Sequence, residues 1–220
     1  MIAPDVDAIL RAQGADPARV RARSPRLVAV AERAWREGAP LLAPAVTARR
    51  LRVERRTHGA IRFDGGERLS APLVADVCAA ATEIAVIVVT IGAALEDASA
   101  AVMPHDPAFA LALDGLGTAA VEALANEEKA RLAGEMSALG SAAGAALSPG
   151  MEGWPLDAGQ REIFALLRDR ALAVRLLESG MMHPRKSLSF IVGLGPAMDA
   201  SASHCDYCSS RDRCRHRRAS

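Results

Sequence analysis

Hydrophobic periodicity divides the chain into helices and strands before any chemistry is considered. Residues 83–92, EIAVIVVTIG, form a continuous β-branched run closed by glycine, the pattern of a strand buried on both faces. Asp106-Pro107 opens the longest helical pattern, which carries apolar residues at Leu113, Leu116, Ala120 and Leu124 and is expected to reach about Gly134. An earlier helix is signalled by Ser24 as cap, Pro25 at the first helical position and Gly38 as stop. Residues 48–66 change character, with short β-favouring runs about His58-Gly59 that predict a hairpin. LSAPLVADVCAAA predicts a helix capped at Ser70. Residues 140–156 read as irregular, because two prolines and two glycines in SPGMEGWPL forbid a continuing helix. Asp157 and Gln160 then form a D-x-x-Q capping box for a helix over QREIFALLRDR. LAVRLLES and KSLSFIVGLG are the remaining predicted strands.

This order predicts one α+β (mixed α/β) fold in three stretches. Residues 1–48 are a helical segment packing on the main domain, 49–200 an α+β core, and 201–220 a polar, Cys- and Arg-rich tail outside the core. Composition, charge and the N-terminal sequence adjust that picture. Only 3% of the residues are aromatic although half are apolar, so Ala, Leu and Val must build the core. The 27 basic and 26 acidic residues nearly cancel, which argues against nucleic acid or a membrane surface as a partner. The longest apolar run is about half the ~20 residues that span a bilayer. Acidic residues also stand where a secretory signal needs positive charge, so the expected location is cytoplasmic.

Three constellations carry candidate chemistry. Cys205, Cys208 and Cys214 fall within ten residues, flanked by His204 and His216. In a reducing compartment, clustered thiols with a Cys-x2-Cys step point to a metal site, either tetrahedral zinc or an iron–sulfur cluster with a non-cysteine fourth ligand. The surrounding arginines, Arg211, Arg213, Arg215, Arg217 and Arg218, would stabilise thiolates; a basic tail with incidental cysteines is the alternative. Asp114, Thr118 and Glu122 share one face of the long helix, beside Gly115 and Gly117, which thin it for close approach of a backbone or ligand. A solvated polar face explains the same spacing. Finally, residues 178–184, ESGMMHP, form an adaptable loop able to line a flat ligand or partner. No catalytic triad, carboxylate pair or phosphate-cradling motif is evident, which excludes a simple hydrolase or kinase.

AALSPGMEGWPLDAGQREIFALL followed by LLESGMMHPRKSLSFIVGLG resembles the activation domain of cobalamin-dependent methionine synthase, and in particular its stand-alone bacterial relatives with a Cys-rich tail. LDGLGTAAVEAL resembles the helix that carries acidic residues near that family's cofactor site, and VIVVTIGAALE resembles a strand and turn of the stand-alone proteins. The resemblance covers roughly residues 70–196. It implies a C-shaped domain with an antiparallel sheet and flanking helices that binds S-adenosylmethionine and docks on a corrinoid domain. The implied cofactor-site residues are Asp114, Glu122, Ser148, Gly150, Met151, Trp154, Glu178 and Ser179. An Arg that holds S-adenosylmethionine in the family is Ala146 here, and a Tyr facing the corrinoid is Met151.

The functional expectation is therefore an accessory protein of corrinoid-dependent methyl transfer. It would support S-adenosylmethionine-dependent or reductive reactivation of cobalamin carried by a corrinoid-binding protein or methyltransferase subunit. The alternative is a non-catalytic subunit that binds a corrinoid protein and holds a structural zinc in its tail. An unrelated small-molecule-binding α/β domain is the third possibility.

Overall fold

A computed structural model describes residues 4–208. Three helices come first: α1 (Val6–Ala12), α2 (Pro17–Arg23) and α3 (Pro25–Gly38). They lead into β1 (Ala45–Thr57), β2 (Ala60–Phe63), β3 (Arg68–Leu69) and α4 (Pro72–Val77). Then come β4 (Glu83–Thr90), α5 (Ala94–Val102), the long α6 (Pro107–Ala138) and β5 (Ala142–Leu147). The chain closes with α7 (Leu156–Leu166), β6 (Arg175–Leu176), β7 (Met182–His183), β8 (Ser187–Gly195) and a 3-10 turn, His204–Tyr207. The fold is mixed α/β, as the element pattern predicts.

Six strands form one sheet in the order β3-β2-β1-β4-β8-β5, and every neighbouring pair is antiparallel. Side-chain alternation on β4 and β8 explains why the sheet centre reads as continuously apolar. Ala85, Ile87 and Val89, with Phe190, Val192 and Leu194, enter a core shared with α1, α3, α5 and α6. Ile84, Val86, Val88 and Ile191 enter a second core on the opposite face, with α4, α7, Trp154 and Met198. Helices on both faces thus bury an antiparallel strand that would otherwise show one face to water.

Helix α6 starts where the sequence places it, since the Asp106 carboxylate accepts from the Phe109 N–H at 3.1 Å. It runs past Gly134 to Ala138. Among the described residues it alone is long and apolar enough to cross a membrane, yet 67% of its apolar window is buried inside the fold. Its apolar surface serves the first core. Gly115 lies close against α1, where an added Cβ would stand 3.1 Å from the Ile9 carbonyl oxygen. That is the close backbone approach for which the glycine is needed.

Several expected details differ. Residues 142–147 are a strand, not irregular chain. Their AAGAAL sequence has little β propensity of its own, so pairing with β8 decides the outcome. The register shifts between Ala143 and Ala146, and Gly144 sits inside that bulge against the Met198 methyl. LAVRLLES contributes only the two residues of β6, paired with β7 in a small separate hairpin. Ser70 does not cap α4; Ala71 occupies the cap position, and the Ser70 N–H donates to Glu162 Oε1 at 2.8 Å. The Asp157/Gln160 capping box is absent, because Gln160 turns inward and accepts from the buried Ser189 hydroxyl at 3.0 Å. Ser24 caps α3 by position alone, without a side-chain bond. β1 begins at Ala45, inside the stretch expected to be helical. The tail does not stand clear of the core either, since Ala202 and Tyr207 pack against its second half.

Candidate functional site

Strand β5 leaves the sheet, and β8 enters it, at the same end. The start of segment 148–154 and the end of segment 177–187 therefore lie there.

The first segment is a closed turn. The Gly150 N–H donates to the Trp154 carbonyl at 2.8 Å, and the Trp154 N–H returns a bond to the Met151 carbonyl at 2.9 Å. Gly150 and Gly153 have φ of 96° and 76°, a backbone region that favours glycine. Trp154 is fully buried, with its indole N–H directed at Glu162 Oε2 (3.3 Å). This corrects the reading of Trp154 as a ligand-facing surface: it supports the turn from beneath. Met151 is half-buried against the same core, and its sulfur accepts from the Ser148 N–H at 3.4 Å. The N–H groups of Ser148 and Gly150 are thus spent inside the turn, leaving Gly150 exposed with its carbonyl.

The second segment is the turn between β6 and β7. Leu177 donates to the Met181 carbonyl and Gly180 to the Leu177 carbonyl, both at 2.9 Å, which leaves Glu178 and Ser179 exposed at the tip. Arg161 on α7 donates to the Glu178 carbonyl at 3.4 Å and pairs with Asp157. Helix α7 thus bonds to both segments, through Arg161 to Glu178 and through Glu162 to Trp154. On and beside these segments Leu156, Leu177 and Met181 remain exposed.

On the opposite face of β8 lies a polar cluster. Lys186 Nζ reaches Asp114 Oδ1 at 2.9 Å and the Thr118 hydroxyl at 2.8 Å, and its stem crosses Gly117. Beside it, the buried Glu96 carboxylate accepts from the Arg185 N–H at 2.9 Å, with His183 Nδ1 3.7 Å away. The peptide bond between His183 and Pro184 is cis. The expected stripe therefore divides. Asp114 and Thr118 form a lysine cradle, whereas Glu122 is exposed and joins neither group. Glu96 was not foreseen; ALEDAS carries no pattern that marks a buried carboxylate, and PRKS none that marks a clamped ammonium.

In the tail, His204 and Cys205 lie within one 3-10 turn and Cys208 caps its end. Desolvation and the Lys129 ammonium push the His204 imidazole down from its ordinary value, the Asp206 carboxylate opposing them. Among the described residues no group of three His, Cys, Asp or Glu is placed to hold a metal. Cys214, His216 and the five tail arginines lie outside the described residues. Cys78 is a different case: burial pushes its thiol up to about 12, so it stays protonated and inert.

Several solved chains match this fold, and one of them matches over most of the chain. It is described as the MetH reactivation domain bound to AdoHcy, with a TM-score of 0.62 and 18% identity over 87% of this chain and 71% of that one. The two chains share a fold. No protein-family model matches, and no curated protein matches either. The antiparallel sheet with flanking helices is therefore the architecture of the MetH reactivation domain, reached here with a largely different sequence.

Proposed function

We propose that this chain is an accessory protein of corrinoid-dependent methyl transfer. It docks on a cobalamin-bearing partner, a corrinoid protein or methyltransferase subunit, and supports S-adenosylmethionine-dependent or reductive reactivation of the cobalt. The observation that carries the reading is the shared fold with a domain solved with AdoHcy, the demethylated form of S-adenosylmethionine. The local chemistry adds support. Leu156, Leu177 and Met181 present an adaptable apolar rim suited to the broad, largely apolar face of a corrinoid. Glu178 offers an acceptor for the ammonium of S-adenosylmethionine, and Arg161, bonded to the Glu178 carbonyl, a guanidinium for its carboxylate. Calorimetry with S-adenosylmethionine tests the methyl-donor role. Saturable binding that weakens in E178Q supports it, and no binding in the millimolar range removes it.

A second reading keeps the docking and drops the donor: a non-catalytic binding subunit with a structural zinc held by Cys205, Cys208 and Cys214 and by His204 or His216. Specific contacts favour it. Ala146 lies within β5 and offers no charge. The cations available to replace a family Arg there are engaged: Arg161 by Asp157, Arg185 by Glu96 and Lys186 by Asp114. A charge-assisted bond contributes about 1.5–3 kcal/mol, so its loss weakens a small ligand by one to two orders of magnitude. Metal analysis of anaerobically purified protein separates the readings, since iron with sulfide supports electron delivery and zinc alone supports the structural tail.

A further inference from the structure

Strands β1, β2 and β3 project beyond the edge of β4, whose last partner on β1 is Arg52, opposite Glu83. On this projection Ile61, Phe63 and Leu69 face the second core, and no residue of β2 or β3 joins the first. The opposite face is left to Arg55, Arg62 and Arg68. Register places them in line: Arg55 is directly opposite Arg62, and Arg62 directly opposite Arg68.

Like charges directly opposite each other destabilise a sheet. The rest of β1 avoids that cost. Arg49 is matched by Glu67 at 2.7 Å and Asp169 at 3.5 Å, and Arg50 by Glu135 at 2.7 Å. In the outer row only Arg62 has a partner, Glu54 at 3.0 Å. Among the described residues, Arg55 and Arg68 have no ion pair or side-chain hydrogen bond. The three guanidinium groups, with Thr57, line a pocket of about 290 Å³.

We propose that this pocket binds a phosphate-chain anion, a diphosphate or triphosphate. Neighbouring strands lie about 4.8 Å apart, so the row covers roughly 10 Å. A single phosphate reaches one or two of the guanidinium groups, whereas a phosphate chain spans Arg55 to Arg68 and displaces Arg62 from its weak, exposed pair with Glu54. The planar fork of arginine matches phosphate oxygens in pairs, which lysine cannot do. The pocket volume sits at the lower end for small-ligand sites, which suits the chain itself and leaves any attached nucleoside outside. This site lies on a different part of the sheet from the 148–154 and 177–187 segments and does not depend on the function proposed for them.

Calorimetry of the full chain with inorganic tripolyphosphate, at about 0.15 M monovalent salt, tests the assignment. One saturable site is expected, weaker with pyrophosphate. R55Q/R68Q is expected to weaken binding about a hundredfold, roughly tenfold for each lost charge-assisted contact. R52Q, whose arginine faces Glu83, leaves the affinity within about twofold. Should R55Q/R68Q not fold by circular dichroism, R68Q alone, on the two-residue edge strand, carries the same test at about tenfold. ATP with the same variant sensitivity identifies the source as a nucleotide; tripolyphosphate binding without ATP binding identifies an inorganic chain. The proposal is overturned by no saturable binding in the millimolar range, by unchanged affinity in the variants, or by tighter binding of a mixed-sequence single-stranded oligonucleotide.

Discussion

Trp154 shows how one residue can be noticed correctly and placed wrongly. Its company of Gly, Pro and Met marks an irregular turn, but composition does not say which way the indole points. Burial settles it, because Gly159 on α7 leaves the space the ring fills. A Cβ at Gly159 would stand 2.7 Å from the indole nitrogen and 2.8 Å from Pro149 Cβ. Gly159→Ala is therefore expected to destabilise the fold by about 1–3 kcal/mol through overpacking. Trp154→Ala should cost about 3–5 kcal/mol through the cavity. Urea unfolding followed by far-UV circular dichroism measures both, and a neutral G159A would show that the ring is not held as described. Glu67 supplies a pH prediction at the same scale. Its own backbone N–H first, and then Arg49, hold its carboxyl below the usual carboxylate range despite partial burial. A depressed folded-state pKa means the ionised group stabilises the fold above its unfolded value, and that contribution is lost as pH falls through the acid range. Wild-type stability should thus drop on acidification more steeply than that of E67Q; parallel pH profiles for the two would contradict the assignment.

At the scale of elements, legibility followed the source of each element's stability. β4 and α6 were readable because their periodicity records burial that the sequence itself encodes: a β-branched run for one, and a capped 3.6-residue repeat for the other. β5 was not, since AAGAAL becomes a strand only through its pairing with β8. The D-x-x-Q signal before α7 misled for the opposite reason: a local capping pattern lost to a buried hydrogen bond between Gln160 and Ser189. The site shows the same division. Its turn residues were visible as glycines and prolines, while the Glu96 and Lys186 anchors arise from contacts far apart in sequence. Those anchors predict a local effect. In Lys186→Met the salt bridge to the half-exposed Asp114 contributes little to global stability, about 1 kcal/mol or less. The segment 183–187 should nevertheless exchange its amides faster, and unchanged exchange at Arg185 would show that Lys186 does not restrain it.

For the whole molecule, the sheet with two helical faces brings the start of segment 148–154 and the end of segment 177–187 to one end, with Leu156 and Met181 exposed on and beside these segments. We propose that this end docks on a cobalamin-bearing partner. The most direct test is an anaerobic titration of the purified protein into a cob(II)alamin-loaded corrinoid protein, followed by the visible spectrum of the cobalt centre. Binding is expected to be saturable and to change the cob(II)alamin spectrum. It should be lost in Leu156→Asp/Met181→Asp, which places charge on the apolar rim while leaving the buried core intact. A spectrum that does not change on addition of the folded protein, or a change that survives both substitutions, would contradict the account.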